Sequence, residues 1–579
     1  MSEAKQYKYI GQRTIRPDGF DKVTGRANYG ADLSLPGMLW GKVLRSPYAH
    51  ALITKLDTSR AEAHPDVLAV AGFEDFPSVN AEAFAAGNGD SGMLDLARNI
   101  LADKKVLYHG HAIVAVAART EEAAAQALQL IDVEYEVLPP VMSIEQAIKE
   151  DAAVLHEDMF TQGLADAPTT PSNIASRMEL KKGDVAAGFA QADIIVEREF
   201  STPTVHQGYI EPHATTVRFD DNGPSMVWCP TQGHFDVRAS TARLLNMELG
   251  QIRVVASEIG GGFGGKTTVY LEPVALVLSR KAGRPVKMVM SRDEVFRASG
   301  PASASKSRIK IGAKSDGTLT AVEASLYYEA GAFKGSPMAP GCMTVFTPYD
   351  VENMWVEGFD VVVNKAKAAA YRAPGAPQAE FAAEMVMNEL AEKLAMDPID
   401  LRLLNAAKAG TQTLYGPKLK EVGLVQCLQA AKTSEQYQTV LASGEGRGVA
   451  AGFWFNIGGQ SSVIINMNSD GTGTILEGSP DIGGSRASMQ MMAAEELGIA
   501  LDRLNPIVTD TEHVAYNATT GGSRTTFATG MAVVEACQDV VAQLKSRAAA
   551  MWNVTSEQVD WQDGSAINLA GEDVMTLAE

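Results

Sequence analysis

Three glycine-rich bends, each placed between an apolar run and a helix-like segment, constrain the fold of this chain more than any other feature. The bends are "GGGFGGK" at Gly260, "GGSR" at Gly483 and a second "GGSR" at Gly521. A short apolar run before a bend is typical of a strand, and an Ala- and Met-rich run after it is typical of a helix. The sequence therefore predicts a mixed α/β (α+β) protein built around strand–loop–helix units.

Glycines ahead of a helix let an anion approach the unpaired N–H groups at the helix N-terminus. A single bend of this kind can equally serve as a turn alone. Three bends, two of which carry an arginine (Arg486 and Arg524), favour one ligand with several phosphates and polar edges, bound mainly by main-chain amides. A nucleotide or a nucleotide-bearing cofactor has this chemistry.

The first bend fits both the G-x-x-x-x-G-K-[ST] and the G-x-G-x-x-G patterns over residues 260–267. A P-loop should follow an unbroken apolar strand, whereas Ser257 and Glu258 interrupt the strand here. A Rossmann site places an acidic residue about 20 positions past the glycines, and Asp293 lies further along the chain. A P-loop NTPase and a dinucleotide-binding fold stay open as alternatives with weaker support.

The charge balance argues against a nucleic-acid-binding protein, and the cysteine spacing argues against a C-x-x-C metal site. There are 50 Lys and Arg against 70 Asp and Glu, a formal net charge of -20, which argues against a nucleic-acid surface. The four cysteines form no C-x-x-C clip, and we expect reduced, buried thiols. Because no signal peptide and no run of about 20 apolar residues is found, we expect a cytoplasmic chain without membrane insertion.

Changes in composition and in hydrophobic pattern divide the chain into four parts. Residues 20–140 alternate short strands with a helix in "TEEAAAQALQLI", capped by Thr120, and we expect a small separate unit there. Residues 141–173 are rich in Ala, Pro and Asp and predict a linker. Longer strands and the glycine bends fill residues 174–410 and 411–579, which we expect to form two halves of one larger domain.

Over nearly its whole length the chain resembles the molybdenum-binding large subunit of the xanthine dehydrogenase and aldehyde oxidase family. "DKVTGRANYGADLSLPGMLWGKVLRSPYAHA" resembles the start of the family's a/b hammerhead domain, "CPTQGHFDVRASTARLLN" its glutamine loop, and "GGGFGGK" its signature. "AAAYRAPGAPQAEFAAEMVMNELA" resembles its arginine loop, and "DIGGSR" and "GGSRTT" its pterin contacts. The resemblance implies a hammerhead domain at 20–140 and a two-part molybdopterin-binding domain at 174–410 and 411–579.

The resemblance also implies the residues of the site. Gln232 would donate its side-chain amide to an oxygen of the metal centre, and Arg372 would stabilise charge that develops on the substrate. Thr267, Pro374 and Phe453 would line the substrate channel. The metal would be held by the pterin and by no protein side chain, so the chain would act on it through hydrogen bonds. The remaining cofactor contacts would come from Gly262, Phe263, Gly264, Gly483, Gly484, Gly521, Gly522 and Ser523.

In chemical terms the resemblance implies a molybdenum–molybdopterin enzyme that hydroxylates an aldehyde or an N-heteroaromatic, with water as the oxygen source. The cofactor would carry the cytosine dinucleotide form, and a small [2Fe-2S] subunit and an FAD subunit would receive the electrons. Thr267 and Pro374 stand where purine-specific members carry a glutamate and an aromatic residue, which disfavours xanthine. Ala373 after Arg372 disfavours a copper–molybdenum centre.

One family feature has no counterpart in this sequence. The family's general base is a glutamate in a "GVGE"-like motif, and Glu477, Glu572 and Glu579 lie in no comparable motif. We therefore expect a C-terminally incomplete subunit, or one completed by a second polypeptide, and a chain that is inactive alone. A cofactor-binding scaffold without turnover is the alternative function.

Overall fold

The computed structural model describes residues 6–79 and 91–579. The N-terminal part follows the predicted strands closely, and Thr120 caps its predicted helix by accepting a hydrogen bond from the Ala123 N–H at 3.1 Å. Its helices are α1 (Gly19–Thr24), α2 (Ser59–Glu62), α3 (Ser91–Ile100), α4 (Glu121–Leu128) and α5 (Ile144–Ala147). Its strands are β1 (Leu39–Arg45), β2 (Ala51–Asp57), β3 (Val67–Ala71), β4 (Lys105–Val106), β5 (Ala112–Ala118) and β6 (Asp132–Val137).

The central part holds the longest strands of the described chain. Its strands are β7 (Ile174–Lys182), β8 (Ile194–Thr202), β9 (Ala214–Arg218), β10 (Ser225–Cys229), β11 (Ile252–Ala256), β12 (Val286–Val289), β13 (Ser305–Ala313), β14 (Leu319–Gly331) and β15 (Asn353–Val362). Its helices are α6 (Val185–Ala190), α7 (His234–Leu245), α8 (Glu272–Ala282), α9 (Arg292–Ala298), α10 (Met338–Thr344), α11 (Ala376–Lys393) and α12 (Pro398–Asn405).

The N-terminal unit is not packed separately, contrary to the expectation from sequence. A seven-stranded sheet runs in the order β11-β10-β9-β12-β1-β5-β3, and β1 pairs with β12 in parallel, with Leu39 opposite Val286. Helix α8 is buried over most of its length, and Leu276 belongs to one core that also contains Leu39 and Val254. The apolar helix therefore needs strands from both units to cover it, and the two units share one core.

A five-stranded sheet in the order β7-β15-β14-β13-β8 forms the second layer of the central part. Helix α11 packs on this sheet, and Val386 and Leu390 of the helix join Ile309 and Val356 of the strands in one buried cluster. Because α11 begins only four residues after Arg372, this packing fixes the position of the arginine-bearing segment.

The last part of the chain is a smaller strand and helix unit. Its elements are α13 (Leu424–Thr433), α14 (Glu435–Gln438), β16 (Val463–Met467), β17 (Gly473–Glu477), α15 (Ser485–Leu497), β18 (Leu504–Val508), α16 (Thr525–Trp552), β19 (Val559–Gln562), β20 (Ser565–Asn568) and β21 (Val574–Thr576). Sheet β16-β17-β18 buries Ile475 against Met489 of α15 and Val533 of α16.

The full strand–loop–helix prediction is confirmed at the second bend, and only its helix is confirmed at the third, since β18 ends at Val508, well before Gly521. Helix α15 begins at Ser485, directly after Gly484, and α16 begins at Thr525, after Ser523 and Arg524. After the first bend, however, α8 begins only at Glu272. The residues in between enter the core, since Val269 is 1% exposed. The first bend therefore presents its own amides and not those of a helix N-terminus.

The cysteine prediction holds for Cys229, Cys342 and Cys537, which are buried, but Cys427 on α13 is exposed. Its helix lies at the surface, with Leu428 as its one residue classed as buried among those described. Across the described ranges no helix combines the length and the apolar character that crossing a bilayer requires.

Candidate cofactor-binding site

The first bend, named here the glycine loop (residues 260–266), is held from inside by Gln232. The Oε1 atom of Gln232 accepts hydrogen bonds from the N–H groups of Gly264 at 2.9 Å and of Lys266 at 3.3 Å. Gln232 is only 3% exposed. The fit is close, since a Cβ atom on Gly262 would lie 2.5 Å from Gln232 Oε1. The side chain is therefore fixed against the glycine loop.

Gln232 also joins the third bend. Its Nε2 atom donates to the carbonyl of Thr520 at 2.8 Å, and the N–H of Thr520 donates to the main-chain carbonyl of Gln232 at 2.8 Å. One hydrogen of the side-chain amide is thus used inside the protein. Within residues 6–79 and 91–579 the second hydrogen has no acceptor, so it is available to a ligand.

The segment that carries Arg372 contacts the glycine loop directly. The N–H of Arg372 donates to the carbonyl of Phe263 at 2.9 Å. A Cβ atom on Gly264, whose φ is +107°, would lie 2.4 Å from the carbonyl oxygen of Ala370. Only glycine allows these two segments of the chain to approach so closely. Gln232, Phe263 and Arg372, which lie far apart in sequence, are thereby brought into one site.

The second bend is connected to the Gln232 site by contacts with the third bend. Asp481 Oδ1 accepts the N–H groups of Gly484 at 2.9 Å and Ser485 at 2.7 Å, which fixes the start of α15. The hydroxyl of Thr520 donates to the carbonyl of Pro480 at 3.1 Å. All three predicted bends therefore converge, linked by Gln232 and Thr520.

The two arginines of the "GGSR" bends are bonded within the protein. Arg486 donates to Asp481 and to Glu258, each at 2.7 Å. The guanidinium of Arg524 donates to four main-chain carbonyls and one hydroxyl, those of Gly458, Gly459, Gln460, Ala518 and Ser461. Both cations are used to hold loops together.

The bends nevertheless leave a set of main-chain donors unused. The N–H groups of Gly264 and Gly484 are bonded to side chains of the protein, as described above. Six further N–H groups of the predicted site residues find no acceptor in the described part of the chain; they belong to Gly262, Phe263, Gly483, Gly521, Gly522 and Ser523.

Backbone strain is concentrated around these donors. Phe263, Arg372, Ala373 and Ser523 have φ values of 53°, 27°, 61° and 62°. Such conformations are costly for residues with a Cβ atom, persist only where the surroundings hold them, and cluster at ligand sites. Elsewhere in the described chain, Asn246 has a positive φ for an ordinary reason, since it caps the end of α7.

The donor set fits the molybdopterin group that the resemblance implies. Amide N–H groups from separate bends suit the oxygen, phosphate and ring-edge acceptors of such a group. Arg372 is exposed, and its guanidinium has no ion-pair partner among the described residues. No group of three or more His, Cys, Asp or Glu able to hold a metal occurs in that same part of the chain.

The two phosphate-loop alternatives are contradicted by the geometry. Lys266, the lysine of the P-loop pattern, is fully buried, and its Nζ atom lies 2.7 Å from Glu211 Oε2, so it cannot reach a phosphate. In the Rossmann pattern β11 and β12 should be neighbours, but β10 and β9 lie between them. Asp293 forms an ion pair with Arg297 on the same helix.

The predicted channel residues lie near the bends with different contacts. The Thr267 hydroxyl donates to the carbonyl of Gly264 at 2.9 Å, and Pro374 is half-buried just before α11. Phe453 packs against Phe455, with ring centroids 5.3 Å apart. Its neighbour Trp454 makes the contact with the third bend, since the indole N–H donates to the carbonyl of Gly522 at 3.1 Å.

Sequence reasoning missed Glu211, Trp454 and Glu380. Glu380 on α11 accepts the N–H of Phe453 at 2.8 Å, and burial, reinforced by Glu384, raises the pKa of Glu380 to about 8. Trp454 adjoins the predicted Phe453 and could have been found there. Glu380 lies within the quoted arginine-loop motif but was not singled out there, and Glu211 lies in none of the quoted motifs.

Family models cover most of the chain. The model described as "Aldehyde oxidase and xanthine dehydrogenase, a/b hammerhead domain" matches residues 24–139, and two models described as "Molybdopterin cofactor-binding domain" match residues 167–406 and 426–579. The fold class inferred from the sequence is confirmed.

Curated relatives agree with the models. The chain is 32% identical to a probable xanthine dehydrogenase subunit of Bacillus subtilis over 574 residues, which cover 96% of this chain and 72% of the relative. It is 35% identical to the nicotinate dehydrogenase large molybdopterin subunit of Eubacterium barkeri, over 74% of this chain and 96% of the relative. These comparisons give no support to the expectation that the chain alone is inactive.

Solved structures share the fold. The aldehyde oxidoreductase of Desulfovibrio gigas superposes with a TM-score of 0.76 at 28% identity, over 90% of this chain and 59% of that one. The quinoline 2-oxidoreductase of Pseudomonas putida 86 superposes with a TM-score of 0.84 at 24% identity, over 98% and 74% of the two chains. The chain belongs to the xanthine dehydrogenase and aldehyde oxidoreductase family of molybdopterin-dependent oxidoreductases, as a molybdenum-binding large subunit.

Proposed function

We propose that this subunit hydroxylates an aldehyde or an N-heteroaromatic compound, with water as the oxygen source. The observation that carries the proposal is the linkage of the three bends by hydrogen bonds through Gln232 and Thr520, together with six main-chain N–H groups of those bends that have no acceptor among the described residues. A scaffold that only joined subunits would not need strained residues such as Phe263 and Ser523 in the bends that carry those donors.

When bound, the molybdenum of the pterin cofactor supplies the two-electron oxidation and the site of oxygen transfer. The chain's own part is to orient and stabilise. Gln232 offers one side-chain N–H, held in direction by the bonds of its Oε1 to Gly264 and of its Nε2 to Thr520. Arg372 offers a fixed cation where negative charge develops on a substrate heteroatom.

The substrate side of the proposal is supported by aromatic residues next to the third bend. Phe453, Phe455 and Tyr415 form a cluster, with Tyr415 5.5 Å from Phe455 between ring centroids. Planar rings stack on such a surface. Thr267 and Pro374 bring no carboxylate and no aromatic clamp, so we propose a substrate other than xanthine, bound through ring faces and through Arg372.

The cofactor form and the partners belong to the same proposal. Unused N–H groups at Gly483 and at Gly521–Ser523, beyond those of the glycine loop, suit a longer ligand such as the cytosine dinucleotide form. Electrons then leave through a [2Fe-2S] subunit and an FAD subunit. In support, relatives of this chain are named as subunits of xanthine and nicotinate dehydrogenases.

The test is to purify the protein with its partner subunits and to measure molybdenum, pterin nucleotide and turnover in one preparation. We expect stoichiometric cofactor and cyanide-sensitive dye reduction with members of a panel of aldehydes and N-heteroaromatics, with oxygen from labelled water in the product. Cofactor without turnover across the panel would favour the scaffold function. A preparation without molybdenum or pterin would contradict the proposal itself.

A further inference from the structure

A single buried carboxylate holds both ends of the glycine loop. Glu211 Oε2 accepts the N–H of Gly260 at 2.7 Å and the Nζ of Lys266 at 2.7 Å, while Oε1 accepts the N–H of Gly30 at 3.1 Å. The side chains of Lys266 and Glu211 are 0% and 8% exposed. The first and last residues of the loop are therefore tied to one point, which is itself tied to the N-terminal segment.

Tyr209 supports the middle of the same loop from beneath. A Cβ atom on Gly265 would lie 2.7 Å from the Tyr209 ring, and one on Gly261 would lie 3.1 Å from Tyr209 Cβ. The Lys266 Nζ atom lies 5.1 Å from the centroid of that ring. Lys266 thus points into the floor of the loop, against Tyr209 and Glu211.

A buried ion pair is a poor source of stability, because removing two charges from water costs much of what their attraction returns. Such pairs are best explained where they select one conformation. Here the conformation is unusual: Gly261, Phe263 and Gly264 all have positive φ, at 97°, 53° and 107°. A loop held at both ends can keep this shape, and its shape decides where the N–H groups of Gly262 and Phe263 point.

We propose that Glu211 and Lys266 are a positioning pair, whose mutual ion pair sets the glycine loop in the conformation that aims its amide donors at the cofactor. The proposal rests on the proposed function and deepens it. It assigns the lysine of the "GGGFGGK" motif to the shape of the loop and not to a phosphate. Neither residue touches the reacting atoms, so both act through the loop.

The test compares Glu211→Gln, Lys266→Met, the double variant and Lys281→Met in the assembled enzyme. Lys281 is the control, since its Nζ lies 2.7 Å from Asp75 in a partly exposed ion pair that involves no residue of the three bends. Lys266→Met leaves a buried carboxylate unpaired and should reduce yield, and the double variant should restore it. Even so, both Glu211→Gln and the double variant should lose about tenfold to a hundredfold in kcat per bound molybdenum, with KM unchanged.

Amide hydrogen exchange of the peptide spanning residues 260–266, in full-length protein without cofactor, provides a second readout. We expect faster exchange in Glu211→Gln and in the double variant, and wild-type exchange in Lys281→Met. Unchanged exchange, or faster exchange with normal turnover per molybdenum, would overturn the positioning role. If the wild-type protein bound no molybdenum and no pterin, the proposed function would fail, while the exchange measurement would still judge the pair.

Discussion

The side-chain Oε1 of Gln232 and the amide nitrogen of Gly264 lie 2.9 Å apart, although the residues are separated by 32 positions. The same side chain donates to Thr520, 288 positions away. One neutral amide therefore joins the glutamine loop, the glycine loop and the third bend. Because both ends of the amide are used, its direction is set before any ligand binds.

Replacement of Gln232 by alanine should damage both the loops and the cofactor site. It leaves the buried N–H groups of Gly264 and Lys266 without their side-chain acceptor and the Thr520 carbonyl without a donor. Each such group costs about 1–3 kcal/mol. We expect a lower thermal unfolding midpoint and little bound molybdenum by metal analysis. The exposed Gln129→Ala variant should match the wild type in both; equal behaviour of the two variants would contradict this account.

Glycine 264 offers a test of the contact with the Arg372 segment. Gly264→Ala and Gly410→Ala both place a Cβ atom at positive φ, 107° and 91°, but only the first meets a neighbour, the Ala370 carbonyl at 2.4 Å. The conformational strain of about 1–2 kcal/mol should be common to both variants. Overpacking should add about 1–3 kcal/mol in Gly264→Ala alone. Thermal unfolding and molybdenum content measure the difference, and no difference would exclude the close approach of the two loops.

Glu380 should make stability depend on pH. Burial raises its pKa to about 8 from an ordinary value of 4.5. Between these values the native state keeps a proton that the unfolded state has lost, so stability should fall as pH rises through this window. One proton gives a slope of up to about 1.4 kcal/mol per pH unit. Between pH 5 and 9 the unfolding midpoint should change less with pH in Glu380→Gln than in the wild type.

The exposed Glu392, on the same helix as Glu380, provides the control for that measurement. Glu392→Gln should keep the wild-type slope. A Glu380→Gln variant with an unchanged slope would show that the carboxyl is ionised in the folded protein at neutral pH.

Trp454 should support the third bend through one hydrogen bond. Trp454→Phe keeps a ring but loses the indole N–H that donates to Gly522 at 3.1 Å, a loss of about 0.5–1.5 kcal/mol. We expect Trp454→Phe to release the pterin cofactor faster on dilution, and pterin fluorescence measures the rate of that release. Trp355→Phe loses a similar bond, to Glu179 at 2.9 Å on a distant sheet, and should release cofactor at the wild-type rate. Equal rates in the two variants would remove Trp454 from the site.

Local patterns in the sequence were sufficient for the elements and for the bends. The cap at Thr120 and the helices after the second and third bends depend on residues a few positions apart. Such short-range rules of capping and periodicity can be read without knowing the rest of the fold. The family resemblance, carried by whole motifs, supplied the hammerhead domain and the two-part molybdopterin-binding domain.

Contacts between distant segments could not be predicted in this way. The lysine of the first bend looked like a phosphate ligand because its partner, Glu211, stands 55 positions away and in no motif. The partner of Arg486 is likewise distant in sequence, since Glu258 stands 228 positions away. The sheet that β1 and β12 share likewise depends on a strand pairing that the sequence of neither strand indicates. The partner of a charged side chain or of a strand edge is brought to it by the fold, so a local sequence pattern does not identify that partner.

The most direct test of the central claim is anomalous diffraction at the molybdenum absorption edge from crystals of the cofactor-loaded protein. The account predicts one strong peak per chain, surrounded by the Gln232 side-chain amide, the amides of Gly262 and Phe263, and Arg372. A molybdenum peak elsewhere in a protein with full metal content would contradict the claim that the three bends form one cofactor site.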